Sequence, residues 1–177
     1  MLVTAGGAKG HRLKSSKTKN LNPIISKVRG PLLDSIADRV IGARVLDLYA
    51  GTGSLGIDSL SRGAIFCDFV ERDHQACEAI KQNLQHSHFV GKSRVFCKDT
   101  MDFIATSMIK YDLVFMDPPS HDLNHFWIFK ILKKNLKTDS LIVVHVPGFF
   151  NPSSLVEFKV KDQKIFGQEK FFLISPK

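Results

Sequence analysis

With 177 residues, 44% of them apolar, the chain is long enough for one substantial core and falls in the range of a single domain. Its longest apolar run, about 141–150, is interrupted by His145 and Pro147, and its cationic amino terminus lacks an apolar signal segment, so neither a membrane span nor export is expected and the chain reads as cytoplasmic. Lys and Arg number 25 against 17 acidic residues, a net charge of +8, which favours an anionic partner and disfavours an acidic, self-solvating chain.

The charge is concentrated at the start. Residues 1–33 hold seven cations (Lys9, Arg12, Lys14, Lys17, Lys19, Lys27 and Arg29) and no carboxylate, the footprint of a segment that meets phosphates, or else of a solvated arm. Apolar residues around Gly6-Gly7 and up to Leu13 suit a small hairpin. The expected organisation is thus a basic extension over 1–22 and one folded domain over 23–177. Gly30-Pro31 followed by Leu32, Leu33, Ile36 and Val40 has helical spacing, with Pro31 expected at the first position rather than inside a helix running on from Ser26.

From there strands and helices alternate. Residues 44–49 (R-V-L-D-L-Y) form a short apolar strand, 51–56 a glycine turn and 57–62 a helix stopping at Gly63. A second strand is expected over 65–71, a helix over 74–86 with Ala76, Ile80 and Leu84 on one face, and a third strand over 95–97. A helix over 101–110, a strand over 111–116, a helix over 126–136 and a buried strand over 140–146 follow. Segments 157–166 and 170–174 close the chain as a hairpin around Gly167. The pattern specifies a mostly parallel α/β sheet of seven strands with helices on both faces and a C-terminal antiparallel hairpin.

Cys67, Cys77 and Cys97 have no paired spacing and read as reduced thiols. The seven histidines, His86, His88, His121 and His125 among them, show no metal-ligand spacing, so no metal is expected.

Chemistry gathers at the carboxyl ends of the strands, where ligands of such sheets bind. Gly51-Thr52-Gly53-Ser54-Leu55-Gly56 satisfies G-x-G-x-x-G between a strand and a helix, and Glu71 ends the next strand, where a carboxylate accepts the two hydroxyls of an adenosine ribose. A nicotinamide dinucleotide and S-adenosylmethionine share that half. Asp47, inside the first strand, separates them: it repels a diphosphate and suits the cationic end of S-adenosylmethionine, unless it merely caps the turn. Asp99, after the third strand, stands where an adenine amino group needs an acceptor, and also has the form of a helix cap. Asp117-Pro118-Pro119-Ser120 follows the fourth strand; acceptors at Asp117 and the Pro118 carbonyl suit both N–H bonds of a planar aromatic amine, so that positioning supplies most of the catalysis.

The succession D-L-Y-A-G-T-G-S-L-G-I-D-S-L-S-R-G-A over 47–64, then F-V-E-R-D, K-D-T and D-P-P, resembles the RsmD family of bacterial 16S rRNA guanine-N2 methyltransferases nearly end to end. The resemblance implies a Rossmann-like class I methyltransferase fold and S-adenosylmethionine as cofactor, with S-adenosylhomocysteine as product. Asp47, Gly51, Gly53 and Gly56 would then hold the methionine portion, Glu71 the ribose, Asp99 the adenine, and Asp117, Pro118, Pro119 and Ser120 the target amine. The implied partner is 16S rRNA or an assembling small ribosomal subunit, met by a monomer away from any membrane.

Three departures stand out. Ser120 replaces the family's aromatic residue after D-P-P, forfeiting roughly 1–3 kcal/mol of base stacking unless Phe126, Trp127 or Tyr49 supplies a ring. Asn22-Pro23-Ile24 and Lys27-Val28-Arg29-Gly30 stand for R-P-T and R-V-R-E, and Lys9-Gly10 for an early R-G, keeping the charge but not the planar fork. These changes keep alive a non-catalytic RNA-binding or ribosome-assembly protein with the same fold. A methyltransferase acting on DNA, on protein glutamine or on a small molecule is a further alternative, and an NAD-dependent oxidoreductase is disfavoured by Asp47.

Overall fold

The computed structural model describes residues 1–14, 23–118, 127–146, 156–167 and 169–177, with only the backbone at 23–26 and 127. Seven strands, β1 (Arg44–Leu48), β2 (Phe66–Glu71), β3 (Ser93–Cys97), β4 (Tyr111–Met116), β5 (Leu136–Val146), β6 (Phe158–Phe166) and β7 (Glu169–Pro176), form one sheet in the order β3-β2-β1-β4-β5-β7-β6. The first five are parallel, while β7 runs antiparallel to β5 and β6 antiparallel to β7. The strand order reverses between β1 and β4, and a crevice opens at such a reversal beyond the carboxyl ends.

Alternation along the strands sorts the core into two layers. On one face Val45, Phe69, Leu113, Phe115, Val143 and Phe171 pack under α1 (Pro23–Asp34), α2 (Ala37–Val40), α3 (Ser54–Ser61) and α4 (His74–His86). On the other, Leu46, Leu48, Val70, Val114, Ile142 and Phe172 pack under α5 (Thr100–Thr106) and α6 (Trp127–Leu132).

Helix α1 differs from the sequence reading. It runs from Pro23 through Pro31 to Asp34 without a break. An interior proline costs about 3 kcal/mol because the Lys27 carbonyl loses its donor. Burial outweighs that: Val28, Leu32 and Leu33 are all buried, at about 1.5–3 kcal/mol each. Arg29, 1% exposed, adds an ion pair with Asp58 of α3 and a bond to the Leu2 carbonyl. The helix expected over 126–136 likewise ends early, in a 3-10 turn at Lys133–Asn135, and Leu136 already belongs to β5.

Residues 1–14 fold back on themselves through a Leu2–Arg12 bridge and place Val3, Ala8 and Leu13 in the first core layer. They are bolted to α3 by Thr4, whose N–H donates to Asp58 at 2.8 Å, and by Ala8, whose N–H donates to Ser61 at 2.9 Å. Gly6, at φ +79°, lies so close to the Ser61 carbonyl that any Cβ would collide with it.

At the opposite end of the strands from the crevice, Asp68 is fully buried. It accepts from Arg44 at 3.0 Å, from Arg94 at 2.8 Å and from Tyr111 at 2.9 Å, which ties four parallel strands together.

Candidate active site

Asp47 lies in β1 on the α3 face, 2% exposed, and its Oδ2 accepts the Gly56 N–H at 3.0 Å. It ties the start of α3 to the strand, as a turn cap would, and it is a buried carboxylate beside the glycine loop. Burial drives its pKa up from 3.8 to about 8; the Gly56 bond opposes the shift, and the charges of Asp117 and Glu71 add to it. A cation placed beside this carboxyl would favour its ionised form.

The loop between β1 and α3 is built on unusual backbone. Tyr49, Gly51 and Gly53 all have positive φ, +58°, +55° and +72°. Such a conformation costs a non-glycine residue free energy, so Tyr49 is held in place by its surroundings at the very end of β1. Gly53 caps α3, and a Cβ there would press on Phe69 and Ile80 at 3.2 Å. Gly56 meets the sheet instead: a Cβ would reach Phe69 at 2.3 Å and Cys67 at 2.6 Å, so this glycine brings α3 down onto β2. Glu71, at the end of β2, clasps the same loop, accepting from Gly51 N–H at 2.9 Å with one oxygen and from Asp73 N–H at 2.9 Å with the other.

Asp99 is exposed and caps α5, accepting the Met101 N–H at 2.7 Å. Asp117 and Pro118 leave β4 next to β1, and the charge of Asp117 is felt at Asp47. Pro119, Ser120 and Phe126 lie outside the described residues, as does the side chain of Trp127. Asp47, Gly51, Gly53, Glu71 and Asp117 thus share one crevice mouth, while Asp99 closes the neighbouring strand end beyond Glu71.

Three contributors escaped the sequence reading. Asn83 of α4, 1% exposed, accepts from Lys14 N–H at 2.7 Å and donates to the Thr52 carbonyl at 3.1 Å, joining the basic segment to the glycine loop. His145 of β5 binds Asp117 Oδ1 through Nδ1 at 2.7 Å and Glu169 of β7 through Nε2. A histidine interrupting a buried apolar strand was the visible signal for His145. Glu169 had none, because it meets His145 only through the antiparallel register of β5 and β7.

Among the described residues no helix is long and apolar enough to cross a membrane, and no group of three His, Cys, Asp or Glu side chains is arranged to hold a metal ion.

The sequence profile of the family described as Conserved hypothetical protein 95 matches residues 1–175. Ribosomal RNA small subunit methyltransferase D of Escherichia coli is 31% identical over 117 residues, 66% of this chain and 59% of that protein. The protein of the same name from Haemophilus influenzae is 26% identical over 179 residues, 99% of this chain and 86% of that one. Against several of these curated relatives, then, the match spans less than two thirds of their length. The solved structure of Escherichia coli yhhF superposes with a TM-score of 0.86 at 26% identity, covering 100% of this chain and 98% of that one. The architecture is the Rossmann-like class I methyltransferase fold, and the chain belongs to the Conserved hypothetical protein 95 family, that of RsmD.

Proposed function

We propose that this chain binds S-adenosylmethionine beside the glycine loop and directs methyl transfer to the exocyclic N2 amine of a guanine in 16S rRNA, free or within an assembling small subunit. The observation that carries the reading is Asp47: a buried carboxylate at a glycine loop, with Asp117 at the end of the adjacent strand. An ammonium or sulfonium beside Asp47 would stabilise its ionised form, which burial otherwise disfavours, whereas a dinucleotide diphosphate would disfavour that form further.

The donor group fits what is present. Asp47 with Gly51, Gly53 and Gly56 would hold its methionine portion, Glu71 its ribose through lone pairs not used by Gly51 and Asp73, and Asp99 its adenine. When bound, S-adenosylmethionine supplies a methyl group activated by a sulfonium. The chain's own part is to place the acceptor: the Asp117 carboxylate and the Pro118 carbonyl take the two N–H bonds of a planar amine and aim its lone pair into the crevice, with Pro119 and Ser120 assigned to the same acceptor motif. The amine loses its proton late, so Asp117 need not be a strong base. The +8 charge and the family relatives named for small-subunit rRNA methylation support RNA as the acceptor.

The test is calorimetric titration with S-adenosylhomocysteine followed by transfer of labelled methyl to small-subunit particles lacking the modification, with the methylated position mapped by mass spectrometry. Asp117→Ala is expected to lower transfer at least ~100-fold while leaving cofactor affinity within about threefold. Equal loss of both would refute the role of Asp117, and absence of cofactor uptake by folded wild-type protein would refute the enzyme reading. Uptake without transfer would favour the RNA-binding or assembly protein that Ser120 keeps in view.

A further inference from the structure

The cluster behind Asp117 goes beyond the family's motif. His145 sits at the carboxyl end of β5, its side chain 14% exposed, with its two ring nitrogens held by carboxylates from different strands, Asp117 after β4 and Glu169 on β7. Its ring stacks on Phe171, its cross-strand neighbour, at 4.8 Å between centroids. Two chelating carboxylates require both ring nitrogens to donate, the imidazolium form, or else a proton carried by one of the acids. The bond to Nδ1 engages Oδ1 and so orients the carboxylate, and among the described residues no donor to its other oxygen, Oδ2, is seen.

A purely structural role explains this poorly. Strands β5 and β7 are already joined over Ile142–Val146, and β5 reads Leu141, Ile142, Val143, Val144, His145, Val146. An apolar residue at 145 would continue that pattern and pack on Phe171 without the cost of desolvating charges, which well-packed apolar side chains commonly better. The only described acids in contact with His145 are the one that opens the acceptor motif and the one that clamps the ring from behind.

We propose that His145 is a positioning residue for the acceptor site, in which Glu169 holds the imidazole and the imidazole holds Asp117 so that Oδ2 is presented to the acceptor amine. This rests on the methyl-transfer reading above. Burial pulls the His145 pKa down, but the hydrogen bonds and charges of Asp117 and Glu169 outweigh it and hold the ring above its ordinary 6.5. Among the described residues the titratable groups facing it are those two acids; Phe171 covers the ring, and Asp47 lies beyond Asp117 on the same sheet face. The grip is therefore present near the ordinary value of 6.5 and is lost as pH rises through the raised value.

Two measurements test it. In ring NMR titrations of the wild-type protein without substrate, the His145 midpoint is expected above 6.5, and Asp117→Asn and Glu169→Gln are each expected to lower it by about one pH unit. In methyl-transfer kinetics, His145→Phe, which keeps the stack on Phe171, is expected to lower kcat by about 10–100-fold with KM and S-adenosylhomocysteine affinity within threefold. His145→Asn, whose amide nitrogen stands near the Nδ1 position and does not titrate, is expected to recover most of that loss and to abolish the decline of kcat at high pH. If the phenylalanine variant does not fold, the asparagine variant and Glu169→Gln carry the kinetic test. Normal wild-type transfer with an unmoved ring midpoint, or wild-type kcat and pH profile in His145→Phe, overturns the role of His145 alone. Cofactor uptake without transfer, while the midpoint still responds to Asp117→Asn, overturns the methyl-transfer reading and the acceptor role with it.

Discussion

Replacing Asp47 by asparagine separates what this residue does for binding from what it costs the fold. Asparagine keeps the shape and can still accept the Gly56 N–H, now 3.0 Å from Asp47 Oδ2, but it carries no charge. In the unliganded protein burial raises the Asp47 pKa from 3.8 to about 8, and at ~1.4 kcal/mol per pH unit the ionised form is disfavoured by several kcal/mol. An acid whose folded value is raised stabilises fully below its unfolded value, and that contribution is lost as pH climbs through the folded value. Wild-type stability should therefore fall between about pH 4 and pH 8, and the asparagine variant should escape the fall. Even a third of the full effect would raise the melting temperature at pH 7 by about 3–7 °C for a chain of this size. Near pH 4 the advantage should vanish. Cofactor binding should move the other way: losing a charged partner for a cation costs about 1.5–3 kcal/mol, so S-adenosylhomocysteine affinity should drop by about 10–150-fold. Scanning calorimetry across pH and isothermal titration read the two effects separately. A variant that melts at or below wild type at pH 7 and binds cofactor normally would refute the account of Asp47.

Other perturbations test the scaffold around the site. Arg29→Met removes one partner of a fully buried ion pair and leaves the Asp58 carboxylate, among the described residues, with only Thr4 to bind it, so urea denaturation should show a loss of about 3–5 kcal/mol; a loss below about 1 kcal/mol would mean the pair is not the clamp of the amino-terminal segment. Gly56→Ala drives a methyl into Phe69 and Cys67 and should cost about 1–3 kcal/mol through displacement of α3, seen as a lower melting temperature and weaker cofactor binding together. On the proposed reading, charge reversal at the exposed Lys9, Arg12 and Lys14 should weaken binding to small-subunit rRNA and flatten its dependence on salt, whereas an unchanged salt slope would exclude this segment from any such contact.

What could be read along the chain is what local chemistry dictates. The D-L-Y-A-G-T-G run placed a strand, a turn and a helix start because glycines with positive φ leave a compositional mark, and alternation of apolar segments set the sheet. The Asp73 cap of α4 gave that helix its start at His74, where periodicity also put it. Pro31 misled because its penalty is local while the compensation, Arg29 reaching Asp58 and Leu2, spans 27 to 29 residues of sequence. The Asp117, His145 and Glu169 cluster was hidden for the same reason: its members lie 24 and 28 residues apart and meet only when β4, β5 and β7 are laid side by side.

The distribution of charge within the molecule supplies one more constraint on what can enter the crevice. In a protein of net charge +8, the mouth between β1 and β4 is bordered by Asp47, Glu71 and Asp117, with His145 offsetting part of that charge from behind. The exposed cations Lys9, Arg12 and Lys14 belong to a segment that Asn83 joins to the glycine loop at Thr52. A polyanion is thus drawn to the rim and repelled from the floor, whereas a small cation is favoured on the floor. On the proposed reading an RNA strand keeps its phosphates on the rim and sends only an uncharged base toward Asp117. On the same reading a ligand that must bury a phosphate beside Asp47 is disfavoured, because only a cation recovers the ionised form that burial suppresses, and the carboxyl at position 47 would thereby distinguish cofactors that the glycine motif alone treats alike.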